Sequence, residues 1–140
     1  MNPFVVDASV GVKWFLPETG SADAVRLQSP NHELHVPSFF DLELANIIWK
    51  GVRAGRLTRS EADLILSQLT TLTITRHPIE PLIVSAFEIA AAAVRTVYDS
   101  LYVALAVHLN GIVVTADDRL VNALSSTPRT SHVMRLADVP

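Results

Sequence analysis

Residues 97–120 read VYDSLYVALAVHLNGIVVTADDRL, which predicts an apolar helix followed by a short apolar strand. Asp99 opens the predicted helix Asp99–Asn110, and Asp117 follows the predicted strand Ile112–Thr115. A charged side chain at the end of a buried strand is unfavourable unless it has a partner. The stretch therefore predicts a helix–strand unit whose aspartates serve a site at one edge of a sheet.

The first strand of the chain ends in the same way. Asp7 closes the apolar run Phe4–Asp7, and strands then alternate with helices along the chain. The strand runs are continuously apolar, which is typical of a parallel sheet covered on both faces. We therefore expect an α/β fold: a single domain, residues 1–140, with a mainly parallel sheet between helices. Ligands of such sheets bind beyond the carboxyl ends of the strands, which is where Asp7 and Asp117 fall.

The other elements follow from apolar runs, turn residues and helix caps. Thr58-Arg59-Ser60-Glu61 matches a capping box, and Gly55 is a natural terminator of the preceding helix. The remaining predicted strands are Glu33–Val36, Thr73–Arg76 and an edge strand His132–Leu136. The remaining predicted helices are Ser9–Leu16, Ser21–Gln28, Ser38–Ala54, Thr58–Leu72, Pro81–Val94 and Asp117–Leu124.

Composition limits the classes of protein. None of the apolar runs reaches the roughly 20 residues of a membrane span, and Met1-Asn2-Pro3 lacks the basic region of a secretory signal. The absence of cysteine excludes disulfides, thiol catalysis and cysteine–zinc sites, and it fits a cytoplasmic location. The net charge of -3 argues against broad nonspecific binding to nucleic acid. It leaves open a nucleic-acid enzyme whose acidic residues hold metal ions.

Four acids from separate parts of the chain can project to the same sheet edge: Asp7, Glu43, Asp99 and Asp117. Taken singly, each aspartate also fits a helix cap, and Glu43 fits a buried ion pair with Lys50 or an arginine. Taken together, the carboxylates would repel one another in a low dielectric unless they are protonated or neutralised by cations. Oxygen ligands without histidine or cysteine select hard ions, so we expect Mg²⁺ or Mn²⁺.

The ordered set of motifs around these acids resembles the PIN domain family and, within it, the VapC-type toxin ribonucleases. The matching segments are FVVDASV at 4–10, KWFLPE at 13–18, DLELAN at 41–46, YDSLYVALA at 98–106 and TADDRL at 115–120. The resemblance runs from residue 4 to about residue 136. No single motif is decisive, whereas the ordered set is specific.

The resemblance implies a PIN-like fold and a Mg²⁺- or Mn²⁺-dependent endoribonuclease that acts as the toxin of a type II toxin–antitoxin system. The catalytic and metal-binding roles fall on Asp7, Glu43, Asp99 and Asp117. Asp118 is an additional candidate metal ligand. The resemblance also implies an RNA substrate, a homodimer, and a small cognate antitoxin whose tail covers the groove and can insert a basic side chain near the acids.

Other polar residues could serve the same site. Ser9 and Thr115 could bond a metal-bound water or an acidic ligand, although hydroxyls at a helix start or strand end need no function. Arg53, Arg56 and Arg59 cluster around one helix turn. Such a cluster is usually a solvated face, but it could meet phosphates.

Competing functions share parts of this pattern. A phosphatase with an aspartyl nucleophile also has aspartate after its first strand, but its usual second acid, two residues later, is replaced here by Ser9. A phosphorelay receiver domain would have an adjacent acidic pair near the first strand and a lysine after a late strand, and this sequence shows neither. A catalytically inactive PIN scaffold, used for protein or RNA binding, would need the fold but not the four acids. Retention of all four acids favours the enzyme.

Overall fold

The centre of the fold is a five-stranded sheet in the order β3-β2-β1-β4-β5, in which every neighbouring pair is parallel. A computed structural model describes residues 3–140 of the chain. The strands are β1 (Pro3–Val6), β2 (Glu33–Pro37), β3 (Thr75–His77), β4 (Ile112–Thr115) and β5 (Val133–Arg135). The register pairs Val5 of β1 with His35 on one side and Val113 on the other, so β1 lies in the middle of the sheet.

Helices connect these strands and cover the sheet. Within the described residues they are α1 (Ala8–Gly11), α2 (Ser21–Leu27), α3 (Phe40–Arg53), α4 (Arg59–Gln68), α5 (Ile83–Ala93), α6 (Val97–His108) and α7 (Asp118–Leu124). No single helix in residues 3–140 is long and apolar enough to cross a membrane. The apolar segments Glu80–Ala93 and Val97–His108 reach that length only together, and they are bent by 115° relative to one another.

Helix α6 is the buried centre of the molecule. The consecutive residues Ser100–Ala106 are all buried, which is typical of a helix enclosed by other elements. After this helix the chain passes the amino end of β1: a Cβ at Gly111 would lie 2.3 Å from the carbonyl oxygen of Pro3. Because α6 ends at the amino edge of the sheet, it begins at the carboxyl edge, near Asp7 and Asp117.

The α/β fold with a parallel sheet is confirmed, and most element boundaries agree with the sequence to within a few residues. The predicted helix Ser9–Leu16 is too long, because α1 ends at Gly11 and continues as a short 3-10 segment, Val12–Trp14. The capping box at Thr58 is confirmed, since its hydroxyl accepts from Glu61 N while the Glu61 side chain accepts from Thr58 N.

Two glycines have different roles at helix ends. Gly55 has φ of 76°, as expected for a helix terminator. Gly111 does not adopt a left-handed conformation; that role belongs to Asn110, with φ of 51°. Glycine is needed at 111 because any side chain would meet the backbone of β1.

Candidate active site

Asp7 lies directly after β1, at the carboxyl edge of the sheet, and two hydroxyl groups hold its carboxylate. Ser9 Oγ donates to Asp7 Oδ2 at 2.5 Å, and Thr115 Oγ1 donates to the same oxygen at 3.0 Å. These hydroxyls in turn accept hydrogen bonds from the chain after β4: Ser9 Oγ from Ala116 N at 3.1 Å, and Thr115 Oγ1 from Asp117 N at 3.0 Å. The two hydroxyls thus tie β1 to the turn between β4 and α7.

Burial raises the pKa of Asp7 above its ordinary value, because the charged form loses hydration. The hydroxyls of Ser9 and Thr115 oppose that rise, and the nearby charge of Asp99 adds to it. Asp7 occupies the N-cap position of α1, yet it makes no side-chain capping hydrogen bond. Its carboxylate therefore serves this cluster rather than the helix.

Glu43 extends from the first turn of α3 toward the same edge. The hydroxyl of Tyr102, in α6, donates to Glu43 Oε1 at 2.9 Å. Burial raises the pKa of Glu43 to about 7; the Tyr102 hydrogen bond lowers it, and the charges of Asp7 and Asp99 raise it. The alternative of an ion pair between Glu43 and a lysine or arginine is wrong, since its partner is a neutral phenol.

Asp99 lies in the first turn of α6, and Thr96 is the residue that caps this helix. The Thr96 hydroxyl accepts from Asp99 N at 3.1 Å, and the first helical residue is Val97. The prediction that Asp99 opens the helix is therefore off by two positions, and its carboxylate is free of a capping role. Arg95 Nη2 donates instead to Asp99 Oδ2 at 3.1 Å.

Asp117 combines a structural and a charged contact. Its Oδ1 accepts from Arg119 N at 3.0 Å, so it caps α7. Its Oδ2 accepts from Arg95 Nη2 at 3.1 Å, so one nitrogen of Arg95 joins Asp117 to Asp99. Asp118 differs: its side chain is 74% exposed and pairs with Arg135 at 3.0 Å. The predicted metal role of Asp118 gains no support from these contacts.

The structure brings the predicted acids together in two linked groups. Asp7, Glu43 and Asp99 are close enough for their charges to raise pKa values, and Asp117 is joined to Asp99 through Arg95. Over residues 3–140, no three acidic or histidine side chains converge closely enough to hold a metal ion in this conformation. The chemistry of the donors nevertheless fits a hard divalent ion, because the site offers only carboxylate oxygens, buried in Asp7 and half-buried in Glu43, Asp99 and Asp117.

Sequence reasoning missed Arg95 and Tyr102. Tyr102 had a signal available: it follows Asp99 by three positions in a helix, which puts both on one face, and it carries a polar group within a fully apolar run. Arg95 precedes α6, so helical spacing does not apply to it. Its position is set by the bend between α5 and α6, where Arg95 N donates to Ala90 O at 3.2 Å.

A groove of about 940 Å³ leads away from this cluster. It begins at Ser9 and Ala116 and passes between the segment after α1, the end of α3, and α4. Apolar side chains dominate its walls: Val12, Phe15, Leu16, Ile47, Leu57, Leu64 and Ile65. Arg56 lines the groove and also a neighbouring depression of about 440 Å³, the basic depression, together with Lys50 and Arg53.

Comparisons with known proteins agree on one family. A model of the PIN domain matches residues 4–123. Ribonuclease VapC3 of Pyrobaculum aerophilum is 36% identical over 118 residues, which cover 83% of this chain and 90% of that protein.

Solved structures show the same fold. The crystal structure of PAE2754 from Pyrobaculum aerophilum has a TM-score of 0.73 and 20% identity over 97% of this chain and 85% of that chain. The structure of FitAB bound to an IR36 DNA fragment has a TM-score of 0.70 and 13% identity over 98% of this chain and 97% of that chain. The chain belongs to the PIN domain family.

Proposed function

We propose that this protein is a Mg²⁺- or Mn²⁺-dependent endoribonuclease that acts as the toxin of a type II toxin–antitoxin system. The observation that carries the proposal is the convergence of Asp7, Glu43 and Asp99, where burial and mutual repulsion raise the pKa values of Asp7 and Glu43. Acids whose pKa values are perturbed by burial and by neighbouring charges are typical of functional sites. The name of the similar Ribonuclease VapC3 supports RNA as the substrate.

The ion would be held by the four acids at the carboxyl edge: Asp7, Glu43, Asp99 and Asp117. A bound Mg²⁺ would lower the pKa of a coordinated water and would stabilise the negative charge on the phosphate in the transition state. Two hydroxyls and one backbone turn fix the orientation of Asp7 before any ion binds. This preorganisation supports Asp7 as a ligand, because its carboxylate is already held in one orientation and loses little conformational freedom when an ion binds.

Glu43 is suited to hold or move a proton near neutral pH, because its pKa is about 7. The Tyr102 hydroxyl occupies Glu43 Oε1, which leaves Oε2 to orient and deprotonate the attacking water. Attack of this water on phosphorus would break the bond to the 3′ oxygen, which leaves with a proton as the 3′-hydroxyl, and the phosphate would stay on the 5′ oxygen.

The groove and the basic depression support binding of the RNA backbone. Lys50, Arg53 and Arg56 line that depression, and none of them forms an ion pair with any residue in the range 3–140. Unpaired cations attract phosphates and release counter-ions when they bind them. Arg56 also lines the groove that reaches Ser9. An RNA strand bound to these cations could therefore continue along the groove to the acidic cluster.

The predicted protein partners are a small cognate antitoxin and a second copy of the chain. The apolar walls of the groove fit an antitoxin tail, whose basic side chain would meet the acids beyond Ser9. For the homodimer, support comes from exposed apolar side chains on two helices: Leu42 and Trp49 of α3, and Val84 and Phe87 of α5. Leu42 and Trp49 lie two helical turns apart on α3, and Val84 and Phe87 lie one turn apart on α5, so each pair shares one face of its helix. Exposed apolar side chains that share a face are candidates for an interaction surface. An RNA substrate and a chain without cysteine are consistent with a cytoplasmic location.

Two alternatives make different predictions at the same residues. An aspartyl-nucleophile phosphatase is disfavoured because Ser9, in place of the usual second acid, donates to Asp7 Oδ2 at 2.5 Å. An inactive PIN scaffold would bind RNA or protein without cleaving it.

The deciding experiment incubates the purified, antitoxin-free protein with a structured RNA in Mg²⁺, in Mn²⁺ and in EDTA, and maps the cut ends. We expect metal-dependent cuts with 5′-phosphates, which Asp7→Asn and Glu43→Gln abolish while the variants stay folded. Cleavage in excess EDTA, or 2′,3′-cyclic phosphate ends, would contradict metal-dependent hydrolysis. Retained RNA binding without cuts under every condition would favour the scaffold.

A further inference from the structure

Arg95 occupies the space between two of the predicted metal ligands. Its Nη2 lies 3.1 Å from Asp99 Oδ2 and 3.1 Å from Asp117 Oδ2, and its side chain is only 20% exposed. An arginine in a strong ion pair often binds one carboxylate through two nitrogens at once, as Arg76 does with Asp41. Here a single nitrogen is shared by two carboxylates.

The rest of the guanidinium is incompletely satisfied. Arg95 Nε is buried and has no hydrogen-bond partner among the described residues. A buried donor without a partner is costly, so Arg95 is held in this place by the two negative charges rather than by a complete set of hydrogen bonds. Such a side chain can leave more readily than one whose donors are all paired.

We propose that Arg95 is the internal counter-ion of the metal-free site: it holds Asp99 and Asp117 together and competes with the divalent ion for their oxygens. This inference rests on the proposed metal-dependent function. An ion bound to Asp99 Oδ2 would lie beside the guanidinium, and two cations repel each other in a partly buried site. Arg95 must therefore release these oxygens when metal binds, so it affects the ion only through its contacts with the two ligands.

A purely structural ion pair predicts the opposite effect on metal affinity. If Arg95 only braced the ligands, its removal would let Asp99 and Asp117 move apart, and metal would bind more weakly. If Arg95 competes with the ion, its removal leaves two unpaired carboxylates, and metal binds more tightly. The sign of the change in affinity separates these two roles.

The test measures Mn²⁺ binding by titration calorimetry, and melting temperature with and without Mn²⁺, on metal-free wild type, Arg95→Ala and Arg95→Gln. Arg119→Ala is the matched control, because Arg119 also contacts Asp117 but is 81% exposed. Because Arg95→Ala removes a positive charge that lies 3.1 Å from an oxygen of each of the two ligands, we expect it to bind Mn²⁺ about tenfold more tightly. The control should change affinity by less than about twofold, since exposed pairs contribute little.

The melting curves give a second readout. In EDTA we expect Arg95→Ala to melt below wild type, because Asp99 and Asp117 lose their counter-ion. With Mn²⁺ it should gain more than wild type does, since ligand stabilisation grows with affinity. If Arg95→Ala is unfolded in EDTA, Arg95→Gln decides: glutamine removes the positive charge but keeps a hydrogen-bond donor, so this variant should still bind Mn²⁺ more tightly than wild type.

Each outcome separates the inference from the proposed function. Wild type that binds Mn²⁺, with Arg95→Ala no tighter than Arg119→Ala, overturns the competition and leaves the metal site standing. Mn²⁺ binding to Arg95→Ala but not to wild type supports the competition between Arg95 and the ion. No binding to wild type or to any folded Arg95 variant overturns both the competition and the proposed metal site.

Discussion

The phenol of Tyr102 donates a hydrogen bond to Glu43 Oε1 at 2.9 Å, although the two residues are 59 positions apart in the chain. Tyr102 is fully buried in α6, and Glu43 lies in the first turn of α3. The bond favours the charged form of Glu43 in a place where burial disfavours it. It also connects the central helix to the edge of the sheet where the acids collect.

Replacing Tyr102 by phenylalanine should raise the pKa of Glu43 further above about 7. A hydrogen bond to a charged group contributes ~1.5 kcal/mol or more, which corresponds to a shift of about one pKa unit. Carboxyl NMR titration of the metal-free protein measures it, and the acidic limb of the cleavage profile should move to higher pH. Tyr98→Phe is the control, since Tyr98 lies on the same helix but is 67% exposed. An unchanged Glu43 titration in Tyr102→Phe would show that the bond does not form in solution.

The metal-free protein should lose stability as the pH rises from about 4.5 to about 7. The pKa of Glu43 is raised from 4.5 to about 7 on folding, so the folded state holds its proton more tightly than the unfolded state does. The free energy of unfolding therefore falls through this range and levels off above it. The raised pKa of Asp7 acts in the same direction.

Urea unfolding in EDTA at pH 5 and pH 8 checks this prediction. Glu43→Gln removes the titrating group, so the variant should show a smaller fall in stability between the two pH values. Glu80→Gln, a change at an exposed residue, should behave as wild type does. Equal pH dependence in wild type and Glu43→Gln would mean that Glu43 is solvated in the folded state.

Substitutions at Thr96 and Asp99 should distinguish the capping of α6 from the proposed metal-dependent cleavage. Thr96→Ala removes the cap of α6 and should cost about 1 kcal/mol of stability, while metal-induced stabilisation is retained. Asp99→Asn should abolish cleavage and reduce the rise in melting temperature caused by Mn²⁺. In EDTA its stability should stay within about 1 kcal/mol of wild type, because relief of repulsion offsets the lost partly exposed ion pair. Full cleavage by Asp99→Asn would remove Asp99 from the site.

The basic depression should contribute to RNA affinity through phosphate contacts. In an Asp7→Asn background that cannot cut, the double change Arg53→Ala and Arg56→Ala should reduce the slope of log affinity against log salt by about 1.4, or ~0.7 for each lost contact with single-stranded RNA. The matched control is Arg129→Ala, which removes an arginine that is likewise unpaired within residues 3–140. A salt slope unchanged by the double variant would exclude the depression from the RNA path.

The sequence by itself determined the frame of the molecule. Continuous apolar runs such as Ile112–Thr115 can be satisfied only in a sheet covered on both faces, and in this strand of the parallel five-stranded sheet the consecutive residues Val113, Val114 and Thr115 are all buried. Local chemistry also fixed the capping box at Thr58. Because every parallel strand points the same way, Asp7 and Asp117 had to fall at one edge. These features depend on neighbours within a few residues, which the sequence displays directly.

Only the tertiary structure decided how the acids are partnered. The bond between Tyr102 and Glu43 depends on how α3 packs against α6, and the bridge from Arg95 to Asp99 and Asp117 depends on the bend between α5 and α6. Arg95 and Asp99 are only four positions apart, but no local spacing encodes the contact of Arg95 with Asp117 or of Tyr102 with Glu43, because these pairs are 22 and 59 positions apart. The packing of whole helices therefore decides which acids are neutralised by Arg95 in this site. The competition that we propose depends on the same packing.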